Sequence, residues 1–491
     1  MYIKGSILQQ LNRVLSSLPQ QLRFILSGPT SSRLHFMCQL GQSIEHVKSI
    51  QGSKQLAMSK DFYVDPSSMS SNIELGTKQY PYKALDDPFR EIFNYAAQFD
   101  TTFKIYVKHG SNLTMHTNQM PLIILNSMIY LQFADTTIQF RNEDQLRTLT
   151  SFSKNIFEVQ IYNIQWQLDK QQLIMTLEGA NIKIENSTIN VTTQNRVVIY
   201  QSQSVCSLYD YYGIANNQIW INNVFTGLNV GGYTAIIYSQ NHCNFTMINN
   251  RILDIRWIYS DISITIEHIN LKCPKEPYTE YIIKNNSLIN RDQVRLSYIF
   301  FTLKFLEDGI QNVIISDNKF ANISYYSPGL IVVQKLNMKN LKVTFTNNYF
   351  ENVYNDVVET PVAVLFAPNM IVNNNTIVNS RVPTFISIKS INTIIANVQI
   401  QNVQSLDFLY GLMIDLLEPY DSSQNKSMSM NFSDWTIKDS AFEFFNLEKY
   451  AAQWEIKLDI NQIVLISLAK HQDEGFVLYQ QHSRYWIIFL S

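Results

Sequence analysis

The chain is 491 residues long, 46% apolar and 12% aromatic, with a formal charge of −2 and only 16% charged residues. That near-neutral balance gives no whole-protein electrostatic case for binding nucleic acid or an anionic membrane, and the abundance of Ile, Val, Phe and Tyr argues against disorder. No apolar run approaches the roughly 18 residues needed to cross a bilayer; the longest are pieces such as IVLISLA (463–469) and WIIFL (486–490).

Residues 1–60 read as an N-terminal extension. Lys4, Arg13, Arg23 and Arg33 precede the first acid, Glu45. The stretch is rich in Ser, Leu and Gln and poor in acids, a superficial resemblance to a transit peptide, and no compact apolar core of a secretory signal follows Met1. Three readings stay open: an organellar presequence, the remnant of a preceding segment in a longer or mis-started chain, or a structured extension.

Residues 61–99 carry DFYVDP (61–66) and GTKQYPYKALDDPFREIFNYAAQF (76–99), followed by KIYVKHG (104–110). Asp87 is placed to cap a helix with Pro88 in its first turn. Phe89, Ile92, Phe93 and Ala96 then fall on one face. An amphipathic helix here, after a first strand, is suited to covering the open end of a stack.

Residues 100–440 repeat. SDNKFANIS (316–324) returns as TNNYFENVY (346–354), and asparagine makes up 47 of the residues. An apolar centre with Asn or Asp three before, two before or two after it recurs at Ile161, Ile189, Phe225, Ile252, Leu288, Phe320, Phe350, Ile377, Ile400 and Ile437. The steps between centres vary from 23 to 37 residues. A constant node with irregular steps means one fixed corner and variable loops. Between nodes the apolar period is two, as in Leu341, Val343 and Phe345, so each unit holds about three short strands. Short strands stacked on their equivalents form parallel sheets closed into a coil. Asn suits the corner because it tolerates the left-handed backbone region and bonds locally. A side-chain ladder from coil to coil is expected at Asn290, Asn322, Asn352, Asn379 and Asn402, stacked inward.

The opening segment and the repeat together resemble the pectin lyase-like superfamily of right-handed parallel β-helices. The match is specific at Gly76, Thr77, Pro81, Tyr82 and Lys83, with Asp87 and Pro88 opening the capping helix; DDPF departs from the small residue usual there. The resemblance implies an all-β right-handed parallel β-helix of about ten coils with an N-terminal amphipathic capping helix. It also implies a non-catalytic-looking member of the type found in large surface proteins of unicellular eukaryotes. Because that opening motif begins near Asp61, residues 1–60 are best read as the remnant of a preceding segment. Residues 441–491 hold no clear node and read as last coils, a C-terminal cap or the start of something lost.

Chemistry is sparse. The resemblance implies carboxylates gathered for Ca²⁺ in the lyases. In the polygalacturonase-like members it implies an Asn-Thr-Asp phrase, a Gly-His-Gly and an Arg-Ile-Lys; none of these phrases occurs. Asp86-Asp87 is better read as helix capping. Asp254, Asp317, Asp434 and Asp439 occupy nodes and read as turn residues, and Asp261, Asp292, Asp308 and Asp356 as loop acids. The histidines are scattered, and no P-loop or dinucleotide fingerprint is present. Cys38, Cys206, Cys243 and Cys273 have no metal-ligand spacing; they read as buried thiols, with one bridge among the last three as the alternative. Trp220, Trp257 and Trp435 read as core or capping residues. Of nine Asn-x-Ser/Thr acceptors, those off the nodes, Asn112, Asn244, Asn425 and Asn431, are the glycosylation candidates. No catalytic residue, metal ligand or cofactor is expected. The expected function is a non-catalytic extracellular or cell-surface protein that binds glycan or protein or acts as a spacer, with a polysaccharide lyase or glycoside hydrolase acting on acidic polysaccharide as the alternative. The expected partner is a polysaccharide or a surface protein, not nucleic acid. The chain is expected to be a monomer or part of a larger chain.

Overall fold

A computed structural model describes strands and turns between residues 58 and 466; residues 1–57 and 467–491 and the longer connections, such as 92–100, 204–216, 269–278 and 405–413, lie outside the described residues. All that follows concerns the unit formed by 58–206 and 215–491.

Among the described residues every strand pairing is parallel. In one coil Gln311–Ser316 belongs to the first sheet, Lys319–Tyr325 to the second and Ile331–Lys335 to the third. Each pairs with its counterpart on the next coil: Leu341–Thr346, Tyr349–Asn355 and Pro361–Phe366. Among the described residues the third sheet has 12 strands, against the about ten coils expected. The first and second are joined where long strands such as Ser427–Lys438 run round the corner between them. The fold is thus the expected all-β parallel β-helix.

The nodes are in register. Ile189 lies beside Phe225, and the row continues through Ile252, Leu288, Phe320, Phe350, Ile377 and Ile400 to Ile437. One node is corrected. Ile161 pairs with Ile184, and the residue below Ile189 is Trp166. Asn163, three before Trp166, has φ 55°, so the corner is present there without the two other asparagines that would have marked it. Beyond the expected end of the repeat, Glu455–Ile466 pairs with Ser427–Lys438 as a further rung.

The period-two pattern puts Leu341, Val343 and Phe345 inside, all fully buried. Phe320 and Phe350 stack at 5.0 Å between ring centres, and Phe385 from the third sheet meets Phe350 edge-on at 5.6 Å. Burying such rings contributes about 1.5–3 kcal/mol each, so the interior is held by the row of centres that the repeat marks.

At the N-terminal end the motif residues build a cover. Tyr82 forms a parallel bridge with Val64. Its N–H donates to the Tyr63 carbonyl at 2.9 Å, and the Asp65 N–H donates to the Tyr82 carbonyl at 2.7 Å. Gly76 has φ 66°, and a Cβ there would fall 2.3 Å from the Tyr82 ring. That position therefore needs glycine twice over, for backbone and for space. The Thr77 hydroxyl accepts from the Tyr80 N–H at 3.0 Å, fixing the turn before Pro81. Asp87, Pro88 and Glu91 have helical backbone; the rest of the expected capping helix lies outside the described residues. Among the described residues no helix is long and apolar enough to cross a membrane.

Candidate functional site

The node proves to contain two left-handed corners with a buried amide between them. Three residues before the centre, Asn222, Asn249, Asn285, Asp317, Asn347, Asn374 and Asn397 all have φ between 52° and 59°. Two after it, Asp254, Asn322, Asn352, Asn379 and Asn402 have φ between 50° and 58°. Between the corners, two residues before the centre, Asn223, Asn250, Asn286, Asn318, Asn348 and Asn375 are each 9% exposed or less. The Asn318 Oδ1 accepts from the Asn286 backbone N–H at 2.9 Å and side-chain amide at 3.1 Å, while its own amide donates to the Ile283 carbonyl and to Asn348 Oδ1. Both donors and both acceptor positions of the amide are therefore used. The same pattern runs from Asn223 to Asn375. Val398 occupies the position above Asn375 and is buried, ending the row.

Of the five asparagines expected to stack inward, four are placed differently. Asn352 donates to Asn322 Oδ1 and Asn402 to Asn379 Oδ1, both at 2.9 Å; Asn322 donates to the Asn290 carbonyl at 2.7 Å. Asn290 is buried, Asn322 and Asn352 are half-buried, and Asn379 and Asn402 are exposed. The left-handed backbone of Asn322, Asn352, Asn379 and Asn402 turns them outward at the second corner, whereas Asn290 is fully buried. The inward ladder is the row two before each centre.

The acids follow the corners. Asp254, Asp317, Asp434 and Asp439 all have positive φ. Asp254 accepts the Arg291 N–H and pairs with its guanidinium at 3.1 Å; Asp317 accepts from Asn347 and Ser316. Asp261, Asp308 and Asp356, the four cysteines and Asn425 lie outside the described residues, as do the side chains of Asn112, Asp292 and Trp257. Trp220 and Trp435 are buried. Asn431 is exposed on its strand. Asn244 is engaged: its amide donates to Asn217 at 2.7 Å and its carbonyl accepts from the Glu280 N–H at 2.9 Å. Among the described residues no three His, Cys, Asp or Glu side chains come together. An internal void lined by Ile264, Leu288, Phe301 and Phe320 has a volume of about 20 Å³, room for one water and no organic ligand.

One ionisable cluster belongs to the cover. Glu91 takes hydrogen bonds from Lys60 and from the Tyr82 hydroxyl. Partial burial pushes its carboxyl up, but the bonds from Lys60 and Tyr82 outweigh that and hold it below the usual carboxylate range. Burial, with Glu91 beside it, pushes the Tyr82 phenol well up. Both groups are thereby kept in their pH 7 states, Glu91 charged and Tyr82 neutral, which suits a tie between cover and first strand.

The surface best suited to a ligand is the outside of the second sheet around the corner at Asn352. Lys319 lies beside Tyr349, which lies beside Thr376 and then Gln399 on successive coils. Tyr354 lies beside Arg381 and then Gln404, with Glu351 and Gln401 in the row between. Lys319 sits 5.2 Å from the Tyr349 ring centre and 3.5 Å from Glu351. Arg381, Gln399, Gln401 and Gln404 are exposed and the tyrosines half-buried. Two phenol rings, a guanidinium and three glutamine amides thus share one outward surface over neighbouring coils. The period-two alternation could have located it, since these are the outward positions between Phe320, Phe350, Ile377 and Ile400.

No family model matches the chain, and no curated protein matches it. A solved structure that the chain matches is the native GH136 lacto-N-biosidase from Eubacterium ramulus, 7% identical with a TM-score of 0.23, the alignment covering 89% of this chain and 71% of that one.

Proposed function

We propose that this chain is a non-catalytic β-helix protein of the cell exterior or surface that binds glycan across the outside of its second sheet. The observation that carries the reading is the row of outward Tyr349, Tyr354, Arg381 and glutamine amides. Flat phenol rings cover the apolar faces of sugar rings while amides and a guanidinium satisfy hydroxyls or carboxylates, and a few such polar groups fix orientation. Repetition from coil to coil suits a polymer better than a single small molecule. The Lys319–Glu351 pair holds Tyr349 from one side, and Arg381 adds a further exposed cation along the surface.

The test is to present the full chain to a panel of neutral and acidic polysaccharides, with and without Ca²⁺, following both binding and product. Binding to at least one glycan, lost on Tyr349→Ala and weakened tenfold or more by Arg381→Ala, with no unsaturated product and no new reducing ends, is the expected result. Product above a boiled control would overturn the non-catalytic reading in favour of a lyase or hydrolase. Binding indifferent to both substitutions would remove this surface from the account.

A further inference from the structure

The outside of the first sheet differs from that of the second. From the strand Asn217–Ile221 to the strand Asn392–Ala396, seven strands lie side by side, and the middle outward residue of every one is β-branched. The row runs from Ile219 to Ile394 as five isoleucines with Thr246 and Thr344 between them; Ile394 is 50% exposed and the others are half-buried. Flanking outward positions are mostly Asn, Ser, Thr, Ala and Ile. Only three charges fall on these strands' outward positions: Glu280, Lys284 and Lys342. Lys284 is already 3.8 Å from Asp317.

The remaining two charges are placed symmetrically. Glu280 lies one strand before Asn312 and Lys342 one strand after it, in the same row. A two-fold axis parallel to the strands and passing over Gln311–Ser316 puts each row on itself and exchanges the strands on either side. Ile314 then meets its own copy, Ile282 meets Thr344, and Ile219 meets Ile394. The same operation brings Glu280 of each copy opposite Lys342 of the other, twice. Seven strands at about 4.8 Å and five residues at about 3.3 Å make a face of roughly 500 Å². Two such faces bury about 1,000 Å², the lower end of what a specific interface needs.

We infer that the first sheet is a self-association surface, in which a second copy of this chain packs face to face about that two-fold axis. A dimer with its face on the first sheet leaves the outside of the second sheet free, so it is independent of the glycan reading; it departs from the monomer expected from sequence. A closed two-fold contact of this kind is isologous and stops at two copies.

Sedimentation of the full chain over a range of concentrations should show a monomer–dimer equilibrium. Ile314→Lys puts a like charge against itself at the axis and should weaken association tenfold or more, with unchanged far-ultraviolet dichroism because the side chain points outward. Lys342→Glu should weaken it by setting two carboxylates against each other, and the double exchange Glu280→Lys with Lys342→Glu should restore it, since each pair is re-formed with its signs reversed. A chain that stays monomeric at every concentration overturns the inference. A dimer untouched by Ile314→Lys, or a double exchange no better than the single one, overturns it equally.

Discussion

Two rows of asparagine lie one residue apart in the same corner and do different work. In the outer row, Asn347 has φ 56° and is exposed, and its amide reaches Asp317 Oδ1 at 2.8 Å. In the inner row, Asn348 is 1% exposed and its amide is held by the Ile315 carbonyl and Asn375 Oδ1 at 3.0 Å each. The outer row is chosen for the backbone, because asparagine bears the left-handed conformation better than other residues with a side chain. The inner row is chosen for the side chain, because a buried corner leaves N–H and C=O groups that only an amide with two donors and an acceptor can satisfy. The lesson is that a repeated residue in a solenoid has to be read by its position in the unit.

The largest expected effect comes from breaking the inner row. Asn318→Ala strips the side-chain partner from the Asn286 N–H and the Ile283 carbonyl and removes one of two donors from Asn348 Oδ1, and at about 1–3 kcal/mol for each buried group left unmet it should destabilise these coils by roughly 3–5 kcal/mol in denaturant unfolding. Gly76→Ala comes next. It combines a left-handed backbone with a Cβ that cannot fit against Tyr82. It should cost about 2 kcal/mol, with proteolysis of the N-terminal cover appearing before global unfolding. Asn347→Ala should cost about 1 kcal/mol, the left-handed penalty alone, and Asn347→Gly should recover it.

The smallest effect is one of pH. Glu91 is held below its ordinary value of 4.5 by Lys60 and Tyr82, so its contribution is present above pH 4.5 and is lost as pH falls through the depressed folded value. Lys60 and Glu91 are about a third exposed, and a partly solvated pair of this kind contributes about 1 kcal/mol or less. The thermal midpoints of the wild type and Glu91→Gln should therefore differ at pH 6 and converge as the pH falls through the depressed value of Glu91.

Much of this architecture was legible in the residues. The centres from Ile189 to Ile437 are in register because a buried apolar residue between two turns leaves a mark that variable loops do not erase. Ile161 was misplaced because its corner kept only Asn163, while the real centre, Trp166, lacked the flanking pair. The inward ladder runs through Asn318 and Asn348 rather than Asn322 and Asn352 because strand alternation does not continue straight through the node. The two left-handed residues turn the chain there, and which side of the coil a residue faces depends on backbone angles that composition does not display. The outward surfaces were less visible still, since a residue such as Tyr349 or Ile314 becomes part of a face only when coils with unequal steps are brought into register.

The most direct test compares Asn318→Gly with Asn347→Gly by hydrogen exchange across the coils from 279 to 355. The account predicts that Asn318→Gly speeds exchange at the Asn286 and Asn318 corners, because the bonds lost there are made by the side chain, while Asn347→Gly leaves protection at the wild-type level, because glycine adopts the left-handed corner freely. Equal loss of protection in the two variants, or a greater loss in Asn347→Gly, would contradict the division of labour between the two rows.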